Sequence, residues 1–260
     1  MKIATIASGS SGNCIYVNAE DRSFLIDAGI SVKRIKEGLA NYGVMPEDLD
    51  GIFITHEHSD HIGGLANLLK KYEIPVYLTQ GTLTAMEEKR MISESISHNF
   101  NVITTGREFK VSGAKILATR TSHDAAEPVC YKIIENDKRF AIATDLGTYD
   151  ENIVEALTGV DALLLETNHN VQMLQTGPYP YVLKRRILSE KGHLCNETAA
   201  GLLKKIYSDK LNLIILGHLS KTNNYPQLAF ETIKNEMSFN NMQATLVVAS
   251  PDMPSKLYEI

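Results

Sequence analysis

With 260 residues, 43% of them hydrophobic and 22% charged, the chain has the composition of a globular protein able to bury a substantial core. A net charge of −5 excludes a global pull toward nucleic acid, so any polyanionic substrate must be held by a local patch or by bound cations. Three scattered cysteines (Cys14, Cys130, Cys195) form no disulfide framework and show no close metal-ligand spacing. No apolar run approaches the roughly 18 residues of a membrane span, and Ser8-Gly9-Ser10-Ser11-Gly12 interrupts the start too early for a signal peptide. A reducing cytoplasm, without membrane attachment, is the expected setting.

Apolar, β-branched runs predict strands at Lys2–Ala7, Cys14–Asn18, Phe24–Asp27 and Ile52–Thr55. Helical spacing is expected over 31–42, 60–72 and 79–91. A second set of strands follows at Lys115–Thr121, Tyr131–Glu135, Phe140–Thr144 and Ala162–Glu166. Helices are expected over 150–158, 180–190, 196–207 and 226–237, with strands at Leu213–Leu216 and Ala244–Ala249. Several strands are almost continuously apolar and so require cover on both faces. No repeat, low-complexity stretch or long linker divides the chain. The pattern predicts one α+β domain over residues 1–260, two sheets packed face to face with helices outside.

Thr55-His56-Glu57-His58-Ser59-Asp60-His61 places four metal-competent side chains within six residues, where a buried strand gives way to a helix. Imidazoles two apart at a strand end can point the same way, while Asp60 and His61 enter on the first helical turn. Such a cluster suits two close metal ions and hydrolysis. His123, Asp145 and His218 also stand at the ends of apolar runs, where rigid scaffolds commonly present chemistry.

The segment His56–His61 resembles the HxHxDH signature of the metallo-β-lactamase fold. Leu25-Ile26-Asp27-Ala28-Gly29, His123, Asp145 and His218 fall in the order of that superfamily's other motifs. The resemblance spans essentially the whole chain and implies a four-layer αββα sandwich. It implies that His56, His58 and His123 bind one divalent metal ion, that Asp60, His61 and His218 bind a second, and that Asp145 bridges both. Asp27 is then an acceptor behind the ligands, orienting the His56–His61 loop. Two divalent ions carry more positive charge than Asp60, Asp145 and a bridging hydroxide return. The surplus favours an anionic substrate such as a phosphodiester. Asp145 stands where some β-lactam hydrolases of the fold place a cysteine, and its harder oxygen permits manganese as well as zinc.

Spacing narrows the branch. Only 73 positions separate Asp145 from His218, too few for the inserted domain of the β-CASP nucleases. The 24 positions from His169 to His193 leave no room for the long arm of the tRNA 3′-processing enzymes, and only 42 residues follow His218, too few for the helical domain of the glyoxalase II thioesterases. Four phrases resemble the YycJ/WalJ/VicX subfamily: Ser8–Cys14, Leu165–His169, Gly177–Pro180 and Gly217–Asn224. That resemblance implies 5′-to-3′ exonuclease activity on DNA. The alternatives are a small-molecule, cyclic phosphodiesterase with the same metal cradle and a metal-binding regulatory protein with little turnover. A redox di-iron role is disfavoured by His58, where such sites in this fold carry a glutamate.

Asp60 and His193 are the expected catalytic residues, His193 as a non-ligand imidazole that protonates the leaving oxygen or contacts phosphate. Asn196 reads as the N-cap of the helix that follows. His169 is expected on the same rim as a substrate contact. Lys184 and Arg185, in Lys184-Arg185-Arg186 after Tyr179 and Tyr181, would pair cations with aromatics for single-stranded bases. Alternatively they form a solvated helix face. Ser10 and Asn13, in the serine-glycine turn, would cradle a phosphate or terminal nucleotide, or merely close a tight connection. His98 reads as surface.

Overall fold

Strands that are apolar at both odd and even positions must be buried on both faces, and each parity here meets a different layer. The computed structural model describes residues 1–260. Its first half contains β1 (Lys2–Ala7), β2 (Cys14–Ala19), β3 (Arg22–Ile26), α1 (Val32–Ala40), β4 (Gly51–Phe53), α2 (Ser59–Ile62), α3 (Leu65–Leu69), β5 (Val76–Thr79), α4 (Gln80–Glu88), β6 (Phe100–Ile103), β7 (Glu108–Val111) and β8 (Ala114–Arg120). Then come β9 (Val129–Glu135), β10 (Lys138–Ala143), α5 (Glu151–Leu157), β11 (Ala162–Glu166), α6 (Val171–Thr176), α7 (Tyr181–Ile187), α8 (Asn196–Ile206), β12 (Leu213–Gly217), α9 (Pro226–Phe239), β13 (Thr245–Val248) and β14 (Tyr258–Glu259). One sheet runs β14-β1-β2-β3-β4-β5-β6 and the other β13-β12-β11-β10-β9-β8-β7.

Three apolar layers separate the four layers of secondary structure. On β4 and the residue after it, Phe53 joins the layer between the sheets while Ile52 and Ile54 face α1, α3 and α4. On β11, Ala162 and Leu164 face the other sheet, whereas Leu163 and Leu165 pack against α5, α8 and α9. The inter-sheet layer centres on Phe53, whose ring centre lies 5.4 Å from Tyr77, 5.4 Å from Tyr131 and 5.5 Å from Phe24. Such pairs add about 0.5–1.5 kcal/mol each beyond their buried area. Tyr131 donates its hydroxyl proton to the Ile54 carbonyl at 2.9 Å, which ties the second sheet to the strand that leads into His56. The αββα sandwich of the metallo-β-lactamase fold is therefore present, as expected.

Three local expectations change. The helix over 60–72 is two short helices, broken at Gly63-Gly64. A Cβ at Gly64 would stand 1.9 Å from the Ile30 carbonyl oxygen, so the chain must pass the β3–α1 loop too closely for a side chain. Cys195, not Asn196, caps α8, its sulfur accepting from the Thr198 N–H at 3.4 Å. The short strands β5, β6, β7 and β14 and the helix α6 were not foreseen. Four residues or fewer per strand carry too little periodicity to read. No helix is long and apolar enough to cross a membrane.

Candidate metal centre

Strands β3 and β4 run parallel, as do β10, β11 and β12, so their C-terminal ends open onto one edge of the sandwich. Asp27, Asp145 and His218 each follow such an end with left-handed backbone, at φ 62°, 60° and 54°. That conformation costs a non-glycine residue on the order of 1 kcal/mol, Asp and His tolerating it better than most. It turns the chain sharply at the strand end and directs these side chains into one cradle.

Donor atoms converge there in overlapping groups: His56, His58 and His123; Asp60, His61 and His218; and His56, His61 and Asp145. In the first, His58 Nδ1 lies 3.1 Å from His56 Nε2 and 3.3 Å from His123 Nε2. In the second, Asp60 Oδ2 lies 3.3 Å from His218 Nε2 and 3.4 Å from His61 Nε2. Two ligands about 2.1 Å from one tetrahedral ion stand roughly 3.4 Å apart, so both groups have the spacing of a coordination shell. Asp145 lies between them, Oδ2 3.2 Å from His61 Nε2 and Oδ1 3.6 Å from His123 Nε2.

The other ring nitrogens explain why these faces point inward. Nδ1 of His61 lies 2.7 Å from Asp27 Oδ2, Nδ1 of His123 3.0 Å from the Gly192 carbonyl, and Nδ1 of His218 3.0 Å from Glu166 Oε1. Each partner only accepts, so each Nδ1 carries a proton, and each Nε2 is the nitrogen turned to the cradle, where a bound cation would take the place of any proton on it. Thr55 directs its hydroxyl proton to Asp27 at 2.9 Å, leaving its oxygen to accept from His56 Nδ1 at 3.0 Å.

The electrostatics also call for cations. Burial lowers the His218 pKa, but the charge of Asp145 and hydrogen bonds donated to Asp60 and Glu166 outweigh it and hold the imidazole at about 10. His61 is likewise driven well above its usual range, burial being overcome by Asp145, Asp27 and Asp60. Burial raises the Asp145 carboxyl, yet His218 and His61 hold it well below the carboxylate range, and its Oδ2 is buried without a hydrogen-bond partner. A divalent cation would satisfy that oxygen and balance the carboxylates. The donor set fits divalent metal binding.

Residues 22–214 match the beta-lactamase superfamily domain. The chain is 38% identical to exodeoxyribonuclease WalJ of Streptococcus pneumoniae serotype 2, strain D39, over 100% of this chain and 98% of that one. It belongs to the WalJ/YycJ branch of the beta-lactamase superfamily. Exodeoxyribonuclease YycJ of Bacillus anthracis is 36% identical, over 99% of this chain and 98% of that one. The metallo-beta-lactamase fold protein YhfI of Bacillus subtilis superposes with a TM-score of 0.73 at 16% identity, covering 98% of both chains, which speaks to fold alone. The chain is a metal-dependent hydrolase.

Sequence reasoning missed Glu166. Fully buried at the end of β11, it accepts from the Leu146 N–H at 2.9 Å and holds His193 Nδ1 at 2.7 Å as well as His218. Burial raises its pKa, but the charge and hydrogen bond of His193 and the hydrogen bond of His218 bring it down to about 2. A carboxylate closing an otherwise apolar strand was a signal in Ala-Leu-Leu-Leu-Glu. His193 keeps its ring on a cavity of about 170 Å³ shared with Ser10, Ser220 and Arg186.

The expected substrate contacts divide. Ser10 borders that cavity, whereas Asn13 is buried, its side-chain oxygen accepting from the Gly9 N–H at 3.0 Å and its backbone N–H donating to the Asp60 carbonyl at 2.8 Å. Asn13 braces the Asp60 turn. His169 is not on the rim: it is 1% exposed, with both ring nitrogens unpartnered. Its strand-end loop is held against the start of α8, the Asn196 N–H donating to the His169 carbonyl at 2.9 Å and the Asn224 amide to the Thr167 carbonyl at 2.8 Å. Lys184 donates to the Gln175 carbonyl at 2.8 Å, and Arg185 lies 6.0 Å above the Tyr181 ring. Of the basic triplet it is Arg186, paired with Asp124, that reaches the cavity. His98 is exposed, as expected.

Proposed function

We propose that the chain is a two-metal 5′-to-3′ exonuclease acting on DNA. The observation that carries this reading is Asp145, placed between two donor groups with ligand-shell spacing. His56, His58 and His123 would hold one ion, Asp60, His61 and His218 the other, and Asp145 both. Nitrogen and oxygen donors without sulfur suit zinc or manganese. Bound there, two divalent ions lower the pKa of a water and offset charge on the phosphoryl group.

His193 serves the leaving group. Glu166 accepts from its Nδ1 and fixes the ring, so that Nε2 can give a proton to the departing oxygen. When a 5′-mononucleotide is released, that oxygen is the O3′ of the terminal nucleotide. In this reading the small cavity beside His193 takes the terminal group, with entry from the 5′ end. The full-length similarity to named exodeoxyribonucleases supports DNA as the polymer.

Metal-reconstituted protein incubated with 5′- and 3′-labelled single- and double-stranded DNA tests this reading. The 5′ label should leave as a mononucleotide, the 3′-labelled strand should shorten in a ladder, and elemental analysis should find two ions per chain. Hydrolysis of bis-p-nitrophenyl phosphate with DNA left intact would overturn it.

A further inference from the structure

A second cavity, of about 440 Å³, counts His123 among its lining residues and shares none of them with the cavity beside His193. Arg120, Ser122, Thr148, Asp150 and Lys191 also line it. The partition between the two cavities is built by segments 122–124 and 190–192. Ser122 donates its hydroxyl proton to the Glu190 carbonyl at 2.6 Å, the Asp124 N–H donates to Lys191 at 3.1 Å, and His123 meets Gly192. The packing is close enough that a Cβ at Gly147 would stand 2.3 Å from the Glu190 carbonyl. Arg120 and Lys191 therefore line one side of the wall and Asp124, Gly192 and His193 the other, with the buried His123 ring set in the wall itself, its centre 5.1 Å from that of His193.

Charge distinguishes the larger cavity. Arg186, on the other side, is neutralised by Asp124. Neither Arg120 nor Lys191 has a carboxylate within salt-bridge reach, and both are exposed. The one acid on the lining, Asp150, is engaged in capping α5, accepting from the Ile153 N–H and the Asn152 amide at 3.0 Å each. Two free cations against one occupied carboxylate leave this lining net positive on a chain whose total charge is −5.

We propose that this cavity is a phosphate subsite, in which Arg120 and Lys191 hold a backbone phosphate of the retained strand. The identity of the ligand rests on the nuclease reading. If His193 serves the leaving O3′ of the terminal nucleotide, in-line displacement puts the attacking oxygen opposite that O3′, and the retained strand hangs on a third oxygen of the attacked phosphorus, to the side of that axis. The cationic cavity borders the other face of the same wall, so a strand leaving there would be led toward Arg120 and Lys191. Contacts of this kind position the polymer without reading its sequence. A small phosphodiester has no second phosphate and cannot use them.

The test compares metal-loaded wild type, R120Q, K191Q, the double variant and R120K. Affinity for a short, fluorescently labelled, phosphorothioate single strand is measured by anisotropy across a salt series, and turnover with bis-p-nitrophenyl phosphate. The double variant should bind the strand about tenfold or more weakly, and each lost phosphate contact should flatten the log–log salt slope by about 0.7. R120K should keep most of the affinity, and turnover of the small ester should stay within about twofold of wild type. Unchanged strand affinity in the double variant would overturn the proposal. So would parallel loss of small-ester turnover, which would mean that the pair acts through the metal cradle. If wild type cleaves the small ester but no DNA, the nuclease reading falls, and the affinity comparison still decides the subsite.

Discussion

His193 and His218 meet on a single oxygen: Glu166 Oε1 lies 2.7 Å from Nδ1 of the first and 3.0 Å from Nδ1 of the second. One buried carboxylate thereby orients a proposed metal ligand and the proposed proton donor together. Glu166→Gln keeps the shape and removes the charge, and its amide cannot accept at both ends. Turnover of bis-p-nitrophenyl phosphate should fall about 10- to 100-fold, with weaker metal retention after dialysis. Wild-type turnover together with wild-type metal content would contradict this role.

Asp145→Asn should leave a folded protein by circular dichroism and remove the charge between the two donor groups. Elemental analysis should then find fewer than two ions per chain, and hydrolysis of both DNA and the small ester should drop by about a hundredfold or more.

Gly29 permits a backbone approach on which Asp60 depends. A Cβ there would stand 1.7 Å from the Asp60 carbonyl oxygen, the same oxygen that accepts from Asn13. Gly29→Ala should destabilise the fold by about 1–3 kcal/mol in urea titrations and weaken metal binding. Gly43→Ala is the control. Its φ of 73° makes any side chain strained, by about 1–2 kcal/mol, but nothing lies within 4 Å of the added carbon. That variant should lose stability and keep its metal affinity.

Burial holds His169 largely neutral, its pKa lowered to about 4. An unfolded histidine takes up its proton near pH 6.5, so between that value and about 4 the unfolded state binds more protons. Stability from this residue is complete above about pH 6.5 and declines as pH falls through the window, by about 2 kcal/mol at pH 5. Urea titrations of wild type and His169→Gln near pH 7.5 and 5 should show a smaller acid-side loss in the variant. Equal losses would remove His169 as the cause.

The architecture was legible because its signal is local. Phe140 to Ala143 and Leu213 to Leu216 alternate between the inter-sheet layer and the helix-covered layer, and that parity is written in consecutive residues. The cluster His56–His61 was legible for the same reason, while His123, Asp145 and His218 became connected to it through the resemblance. Short strands such as β5 and β6 left no readable period.

The sequence by itself determined the layered α+β class, the residue types of the cradle and the branch of the superfamily. Only the tertiary structure decided how those side chains are held. Glu166 reaches His193 and His218 across 27 and 52 positions, and Asp27 reaches His61 across 34. Such contacts leave no periodic trace. The tertiary structure also moved His169 from the rim into the interior, exchanged Lys184 and Arg185 for Arg186 at the cavity, and set a wall between two cavities of unlike charge. Burial and partnership arise when distant strand ends converge, and local spacing carries no record of that convergence.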